Sequence, residues 1–335
     1  MHNRSYFLLI AVIAAVAAVL ISICIGSYPL SLKTIADILA GQLNDTMEWR
    51  VFWHLRLPRV IMGLISGSAL GLAGGVYQTI FRNHLASPDL TGVASGASFG
   101  AACAIVLGTG STMQIMCGSF FMGMLSLALV LLLVHFSRFE QTGSYILSGI
   151  IISSLADAGL MMLKILADPE RELAAIEFWT MGSLASITAE KLLSQVLFIL
   201  LPMLLLLIFY RQILILSLGS AHARSLGLSP KLWYGILLSL STLMVVGVVA
   251  VTGVIAFVGL IAPHIAFLLY RKRNGSYFLL CALMGGVILL IADIGARSLA
   301  GGAELPLSVL TVLLAVPMLV LLLCGKKGGY HGADF

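Results

Sequence analysis

The sequence predicts an all-α, polytopic membrane protein with about ten transmembrane helices, and three observations carry that expectation. Apolar residues make up 60% of the 335 residues and charged residues only 10%, against roughly 45–50% and ~25% in soluble domains. The mean hydropathy of +1.08 is spread along the whole chain. The apolar residues also fall into ten runs that approach the ~20 residues a spanning helix needs. Too few charges remain to cover a water-facing surface, which excludes ordinary soluble enzymes, secreted disulfide scaffolds and disordered tails.

The runs are 5–26, 60–81, 93–109, 112–137, 144–166, 192–210, 232–252, 254–270, 276–296 and 305–324. The first follows Arg4 and stays apolar for longer than the ~7–15 residues of a signal-peptide core, so it reads as a retained first helix. The eighth is interrupted by Pro263-His264 and follows the seventh after only Gly253, so one of these two helices should be short or broken. An even number of spans puts both termini on one side. With that side cytoplasmic, eleven of the 19 Lys and Arg residues face inward and eight outward, which favours termini in. The cations of the inner side include Arg82, Arg138, Arg211, Arg224, Lys326 and Lys327.

The net charge of +5 therefore sets membrane orientation and does not point to nucleic acid. Residues 27–59 and 168–190 are the two sizeable outer stretches. Residues 211–231 form an inner loop expected to hold one or two short surface helices. The sequence has no repeat of 20 to 50 residues, no low-complexity tract and no long linker, so residues 1–335 read as one integral domain. The cysteines show no C-x-x-C spacing and read as small buried hydrophobes. The seven histidines show no metal-ligand spacing.

Gly63, Gly67, Gly71 and Gly75 form an i, i+4 ladder in the second run, and Gly92, Gly96 and Gly100 open the third. In lipid such glycines let neighbouring backbones approach closely, which suggests dense packing, with the second helix central and next to a path or a moving interface. Gln78 belongs to the same helix. Arg56-Leu57-Pro58-Arg59 precedes it, with Pro58 well placed as its first helical residue. Cations at a helix N-terminus oppose the macrodipole by ~0.3–1 kcal/mol each, so an acidic partner is expected at Arg56 and Arg59, or else contact with lipid headgroups. Asp293 and Arg297 are spaced as a supported i, i+4 pair.

Asp157 stands in the middle of the fifth run beside Ser153 and Ser154. A carboxylate there costs ~2.5–3.5 kcal/mol on insertion scales and is a functional candidate; a proton or cation site would make the chain a secondary transporter. Gly96-Ala97-Ser98-Phe99-Gly100 matches the nucleophile signature G-x-S-x-G, with His264 as a conceivable base, but without its strand context. No G-x-x-x-x-G-K-[ST] occurs. Any ATP and Mg would thus be bound by another polypeptide, and no cofactor or catalytic residue is expected in the chain itself.

The stretch from Arg56 to Gly100 resembles the iron-siderophore, haem and cobalamin permeases of bacterial ABC importers. So do Trp179 to Leu184, Leu218-Gly219 with Ala223 to Leu228, Gly253 to Leu260 through Pro263-His264, and Ala292-Asp293 with Arg297 and Glu304-Leu305-Pro306. The resemblance runs in order over essentially the whole chain. It implies a multi-pass permease of the bacterial inner or cell membrane that pairs with an identical or homologous second permease subunit. Two cytoplasmic ATPases and an extracytoplasmic substrate-binding protein complete such an assembly. Carried over, Arg56, Arg59 and Arg297 face acidic residues on the binding protein. Leu218, Gly219, Ala223, Arg224, Leu226 and Gly227 belong to the segment that couples to the ATPase.

Some positions depart from the family pattern. His84 stands where Pro is usual, Phe267 replaces an Arg, Ser308 and Ala315 replace glycines, and Asp157 takes the place of a small uncharged residue. The expected cargo is an iron chelate, ferric siderophore or haem, moved by ATP-driven alternating access. Cobalamin, molybdate or another metal chelate is the alternative within the family, and a proton-coupled carrier using Asp157 the alternative outside it.

Overall fold

The computed structural model describes residues 3–26, 28–137, 141–299 and 304–324. Arg138, Lys326 and Lys327, counted above with the inner cations, lie outside the described residues. The described elements are helices, with no strand among them. In chain order they are α1 (Asn3–Cys24), α2 (Leu32–Leu39) and α3 (Met47–Arg50), which continues through a π-helical segment (Val51–Arg56) into α4 (Leu57–Ile80). After a 3-10 turn (Pro88–Thr91) come α5 (Val93–Val106), α6 (Thr112–Phe136), α7 (Gln141–Leu166), α8 (Glu172–Thr180) and α9 (Ala189–Ile208). Two short helices, α10 (Tyr210–Leu216) and α11 (Ser220–Ser225), lead to α12 (Pro230–Thr252), α13 (Val258–Tyr270), α14 (Gly275–Ser298) and α15 (Leu307–Cys324).

Ten of these helices, α1, α4 to α7, α9 and α12 to α15, occupy the ten predicted runs. Seven are long and apolar enough to cross a membrane, while α5, α13 and α15 are apolar but shorter. Their starts follow local chemistry. Thr46, Ser111, Thr188 and Asn274 each place a side-chain oxygen on an amide of the first turn, which satisfies a donor that has no partner inside the helix.

The α4 span lies at the centre of the bundle, 83% buried, whereas α1, α6, α7 and α9 bury between 17% and 28% of theirs. Its glycine ladder explains why. A Cβ at Gly67 or Gly71 would run into the backbone oxygens of Gly285 or Cys281, so α4 and α14 touch backbone to backbone along this stripe. The ladder at Gly96 and Gly100 serves the same purpose against Met122 and Gly118 of α6. Both ladders are packing surfaces against a neighbouring helix.

Two boundaries differ from expectation. The helix that carries Arg56 and Arg59 does not begin at Pro58; it begins at Met47, capped by Thr46. A proline ring inside a helix collides with the carbonyl four residues back, and the wider π-helical turns just upstream of Pro58 open room for it. The interruption near the eighth run falls at Gly253 to Phe257, not at Pro263, which is accommodated inside α13. Gly253 and Phe257 both adopt positive φ there, at 70° and 66°.

The α4–α14 contact gives a graded expectation. At Gly67 the obstacle to a side chain is backbone, whereas at Gly63 it is the far ends of Leu290 and Leu184 at 3.1 and 3.2 Å. Gly67→Ala should cost about 1–3 kcal/mol through overpacking and Gly63→Ala distinctly less. Thermal unfolding of the purified variants measures both, and equal effects would contradict the backbone contact.

Candidate functional site

The three arginines singled out by sequence converge at one end of the bundle. Arg59 of α4 is gripped by two carboxylates. Its Nη2 and Nε donate to Asp293 at 2.7 and 3.0 Å, and its Nη1 and Nη2 to Glu304 at 2.6 and 2.9 Å. Arg297 reaches Asp293 Oδ2 at 3.1 Å as the expected i, i+4 pair, and its other nitrogens donate to Ile25 O at 3.0 Å and Ser22 Oγ at 2.7 Å. Arg56 donates to Ile25 O at 2.8 Å and Tyr28 O at 3.2 Å. Ile25 and Ser22 lie at the C-terminal end of α1, where carbonyls have no partner within the helix. The cluster therefore ties α1, α4, α14 and the lead-in to α15 together.

This geometry revises the premise behind Arg56 and Arg59. They lie nine and twelve residues beyond Met47, so the macrodipole, which acts within the first turn, does not bear on them. Arg59 has its acidic partners within the chain, Asp293 and Glu304, whereas Arg56 donates to backbone carbonyls, and all three arginines are buried. Asp293 is wholly buried, whereas the Glu304 side chain is 34% exposed.

Beside this cluster three irregular segments meet, a convergence that periodicity does not reveal. Ser183 N donates to Thr252 O at 2.7 Å, Leu307 N to Gly182 O at 3.0 Å and Ser308 N to Met181 O at 3.1 Å. Non-helical backbone is tolerated in a membrane protein only where other protein groups satisfy it. Gly182 and Gly253 make the approach possible, since a Cβ on either would strike the other segment's backbone at Val254 O or Trp179 O. Ser308, a departure from the family pattern, donates its hydroxyl to Val254 O at 2.9 Å and adds a bond where glycine has none. Ala315 is fully buried in α15. The nearest sequence signal was the set of motifs around Trp179, Gly253 and Glu304, whose meeting in space the sequence left unstated.

At the opposite end, Gln78 is fully buried and donates to Leu260 O at 3.1 Å, tying α4 to α13. His264 Nδ1 lies 2.7 Å from the same carbonyl, which places its proton on Nδ1. The departures His84 and Phe267 are neighbours, their rings 5.4 Å apart, and His84 also lies 5.8 Å from the His264 ring. The Arg273 guanidinium sits 5.7 Å from the Phe267 ring centre and donates to Gln78 O at 3.2 Å. Two departures far apart in sequence are thus one packing change.

Next to this end, α10 and α11 fill the 211–231 stretch. Gly219 and Gly227 bracket α11 with positive φ of 103° and 80°, Ala223 is buried beneath it, and Leu218, Arg224 and Leu226 are exposed. The result is a small knob with apolar and basic tips. Arg82 packs its guanidinium over Gly219, where a side chain would collide with it.

Asp157 is half-exposed on α7 and, among the described residues, makes no ion pair or hydrogen bond. Lys164, two turns on, pairs with Glu177 of α8 at 2.8 Å. Ser98 donates its hydroxyl to Ala94 O at 2.9 Å in its own helix, while His264 is held by Leu260 and lies against His84. The elements of a serine–histidine pair are not assembled.

A bundle of ten apolar helices, seven of them long enough to cross a membrane, with a buried charge cluster at one end and a knob of exposed leucines at the other fits the class of membrane permease subunits. Residues 13–325 match the FecCD transport family. The chain is 37% identical to the molybdate import system permease protein MolB of Haemophilus influenzae over 96% of both chains. It is 34% identical to the Fe(3+)-citrate import system permease protein YfmE of Bacillus subtilis, covering 94% and 93%. The vitamin B12 import system permease protein BtuC of Escherichia coli is 32% identical over 96% and 95%. A solved inward-facing structure of the metal-chelate type of ABC transporter superimposes with a TM-score of 0.87 at 34% identity, covering 95% of this chain and 99% of that one. The chain belongs to the FecCD family and is a multi-pass ABC importer permease.

Removing Asp293 leaves two buried guanidiniums short of a counter-charge, and breaking a buried pair in this way costs about 3–5 kcal/mol. Asp293→Ala should therefore lower the unfolding temperature and the yield of folded protein in membranes far more than Glu304→Ala does. Equal stability of the two variants would refute the central role of Asp293.

Proposed function

We propose that the chain forms the membrane half of an importer for an iron chelate, paired with an identical second permease subunit and served by two separate cytoplasmic ATPases. The observation that carries this reading is the end-to-end likeness to a metal-chelate transporter in an inward-facing state, together with an Fe(3+)-citrate permease among the relatives. Molybdate is the second reading, favoured by the 37% identity to a molybdate permease. ATP hydrolysis in the partner subunits drives alternating access, with both termini of this chain cytoplasmic.

The knob at Leu218 to Gly227 docks on the ATPase; its exposed Leu218 and Leu226 and basic Arg224 support that role. The face of α7 that carries Asp157 borders the translocation path between the two permease subunits. A carboxylate facing hydrocarbon would be expensive, so a water-filled path or a partner subunit is its cheapest surroundings. The extracytoplasmic binding protein docks over the Arg56, Arg59 and Arg297 end. Three guanidiniums against the two carboxylates Asp293 and Glu304 leave one excess positive charge there, and Asp293 holds that charge in place beneath the surface.

Two experiments test these readings. Proteoliposomes holding this chain and its ATPase, given the cognate binding protein, should take up radioactive ferric chelate with ATP hydrolysis stimulated several-fold. Uptake should persist with a protonophore and in Asp157→Asn. Uptake of radioactive molybdate instead would select the second reading, and protonophore-sensitive uptake without ATP would sink both. For docking, Glu304→Gln raises the net charge of the cluster while leaving Asp293 in place, so it should tighten binding-protein association at low salt and lose that advantage as salt screens it. Unchanged affinity at low salt would count against docking at this end.

A further inference from the structure

Between α6 and α9 the subunit keeps two cavities that meet at Met116. The outer one, about 250 Å³, is bounded by Thr112, Phe178, Trp179, Ser183, Ser186 and Lys191. The second, about 280 Å³, continues along the same two helices between Met113, Cys117, Gln195 and Phe198. Both α6 and α9 pack on α12, whose Ala250 and Val251 line the first cavity. The rings of Phe120 and Phe198 meet edge to face at 5.3 Å and close its far end.

The polar groups along this furrow are ordered by depth. Lys191 stands at the mouth, in the first turn of α9, half-buried and without an acidic partner among the described residues. Of the acids nearby, Glu177 of α8 is committed to Lys164 at 2.8 Å, Glu172 accepts from Asp168 N at 2.9 Å, and Glu190, beside Lys191 in the first turn of α9, is exposed and forms no ion pair with it. Trp179 lines the same cavity as Lys191, and tryptophan and lysine both favour the level of the lipid headgroups. One turn deeper, the side-chain oxygen of Gln195 is buried with no hydrogen-bond partner. Beyond it the lining is apolar down to Phe198, seven residues and roughly 10 Å from Lys191 at 1.5 Å per residue. A cation, then a carboxamide, then an apolar slot is the sequence of contacts that a phosphate, an ester-linked glycerol and an acyl chain require.

We propose that this furrow holds one anionic phospholipid of the leaflet on the Arg59 side, its phosphate on Lys191 and one acyl chain between α6 and α9 as far as the Phe120–Phe198 pair. The carboxamide of Gln195 serves the ester and headgroup region. Charge complementarity at Lys191 selects an anionic lipid over a zwitterionic one, and the furrow's course along two membrane-crossing helices selects a lipid over a soluble ligand. The furrow borders the irregular segments at Ser183 and Gly253 but is lined by none of Arg56, Arg59 and Arg297.

The test uses the full-length chain in complex with its ATPase, titrated in detergent with phosphatidylglycerol or phosphatidylcholine of the same acyl chains and read by native mass spectrometry. Wild type should retain phosphatidylglycerol about 5-fold better, the advantage expected of one lysine at the membrane surface. Lys191→Gln should lose that preference, Lys191→Arg should keep it, and Cys117→Trp, which fills the slot, should reduce retention of both lipids. Equal retention of the two lipids by wild type, or an unchanged preference in Lys191→Gln, overturns the proposal. So does Cys117→Trp leaving lipid retention intact while shifting the ratio of single to paired chains, which would make the furrow a contact between copies.

Discussion

Asp293 is the group on which the Arg59 end of this subunit depends. It carries no exposure to solvent, and it accepts from Arg59 on one side and Arg297 on the other. A lone carboxylate in that position would be driven to neutralise itself, and two lone guanidiniums would each carry a desolvation cost of several kcal/mol. Together they are tolerable only with good geometry and with their remaining protons satisfied. The spare donors of Arg297 and Arg56 meet that second condition on the carbonyls of Ser22, Ile25 and Tyr28, which themselves needed donors. One buried acid thus fixes the relative positions of α1, α4 and α14, and Glu304 adds the lead-in to α15.

The rest of the packing follows from what lipid takes away. Burying apolar side chains gives little advantage between helices that would otherwise face hydrocarbon, so association rests on close contact and on hydrogen bonds. Glycines supply the first along α4–α14 and α5–α6. The second appears where helices break: the chain near Gly182, Thr252 and Leu307 satisfies its own non-helical backbone by exchange among three segments. The irregular stretch is therefore a consequence of two glycines at positive φ held against each other's neighbours, and α13 is short because it starts only after that exchange is complete.

The spans were legible because lipid imposes length and hydropathy on each helix separately. Local pairs were legible for a related reason: Asp293 and Arg297 are four residues apart on one helix, and the structure keeps them paired at 3.1 Å. The partners of Arg59 within the chain were not legible because they lie 234 and 245 residues away, and no periodicity encodes such a distance. Pro58 misled in another way. Proline is at home at a helix start, but the π-helical turns before it let a longer helix pass through, and that exception depends on backbone geometry that residue type does not announce. The departures His84 and Phe267 looked independent in sequence, and only their 5.4 Å ring contact shows that one answers the other.

The α4–α14 pair connects the two ends. Side chains between helices can change rotamer and absorb a shift, but a contact made by glycine backbones has no such slack, and close-packed interfaces move between discrete arrangements. At one end α4 and α14 are pinned by Arg59 on Asp293. At the other, α4 ends beside Arg82, which covers Gly219, and its last turn accepts from Arg273 in the turn that precedes α14. A displacement imposed on the knob after α10 therefore meets a stiff two-helix strut whose far end is a buried charge cluster. The strut must move as one body or stay in place, and the charges that hold its Arg59 end are those that would be exposed if it separated from α1.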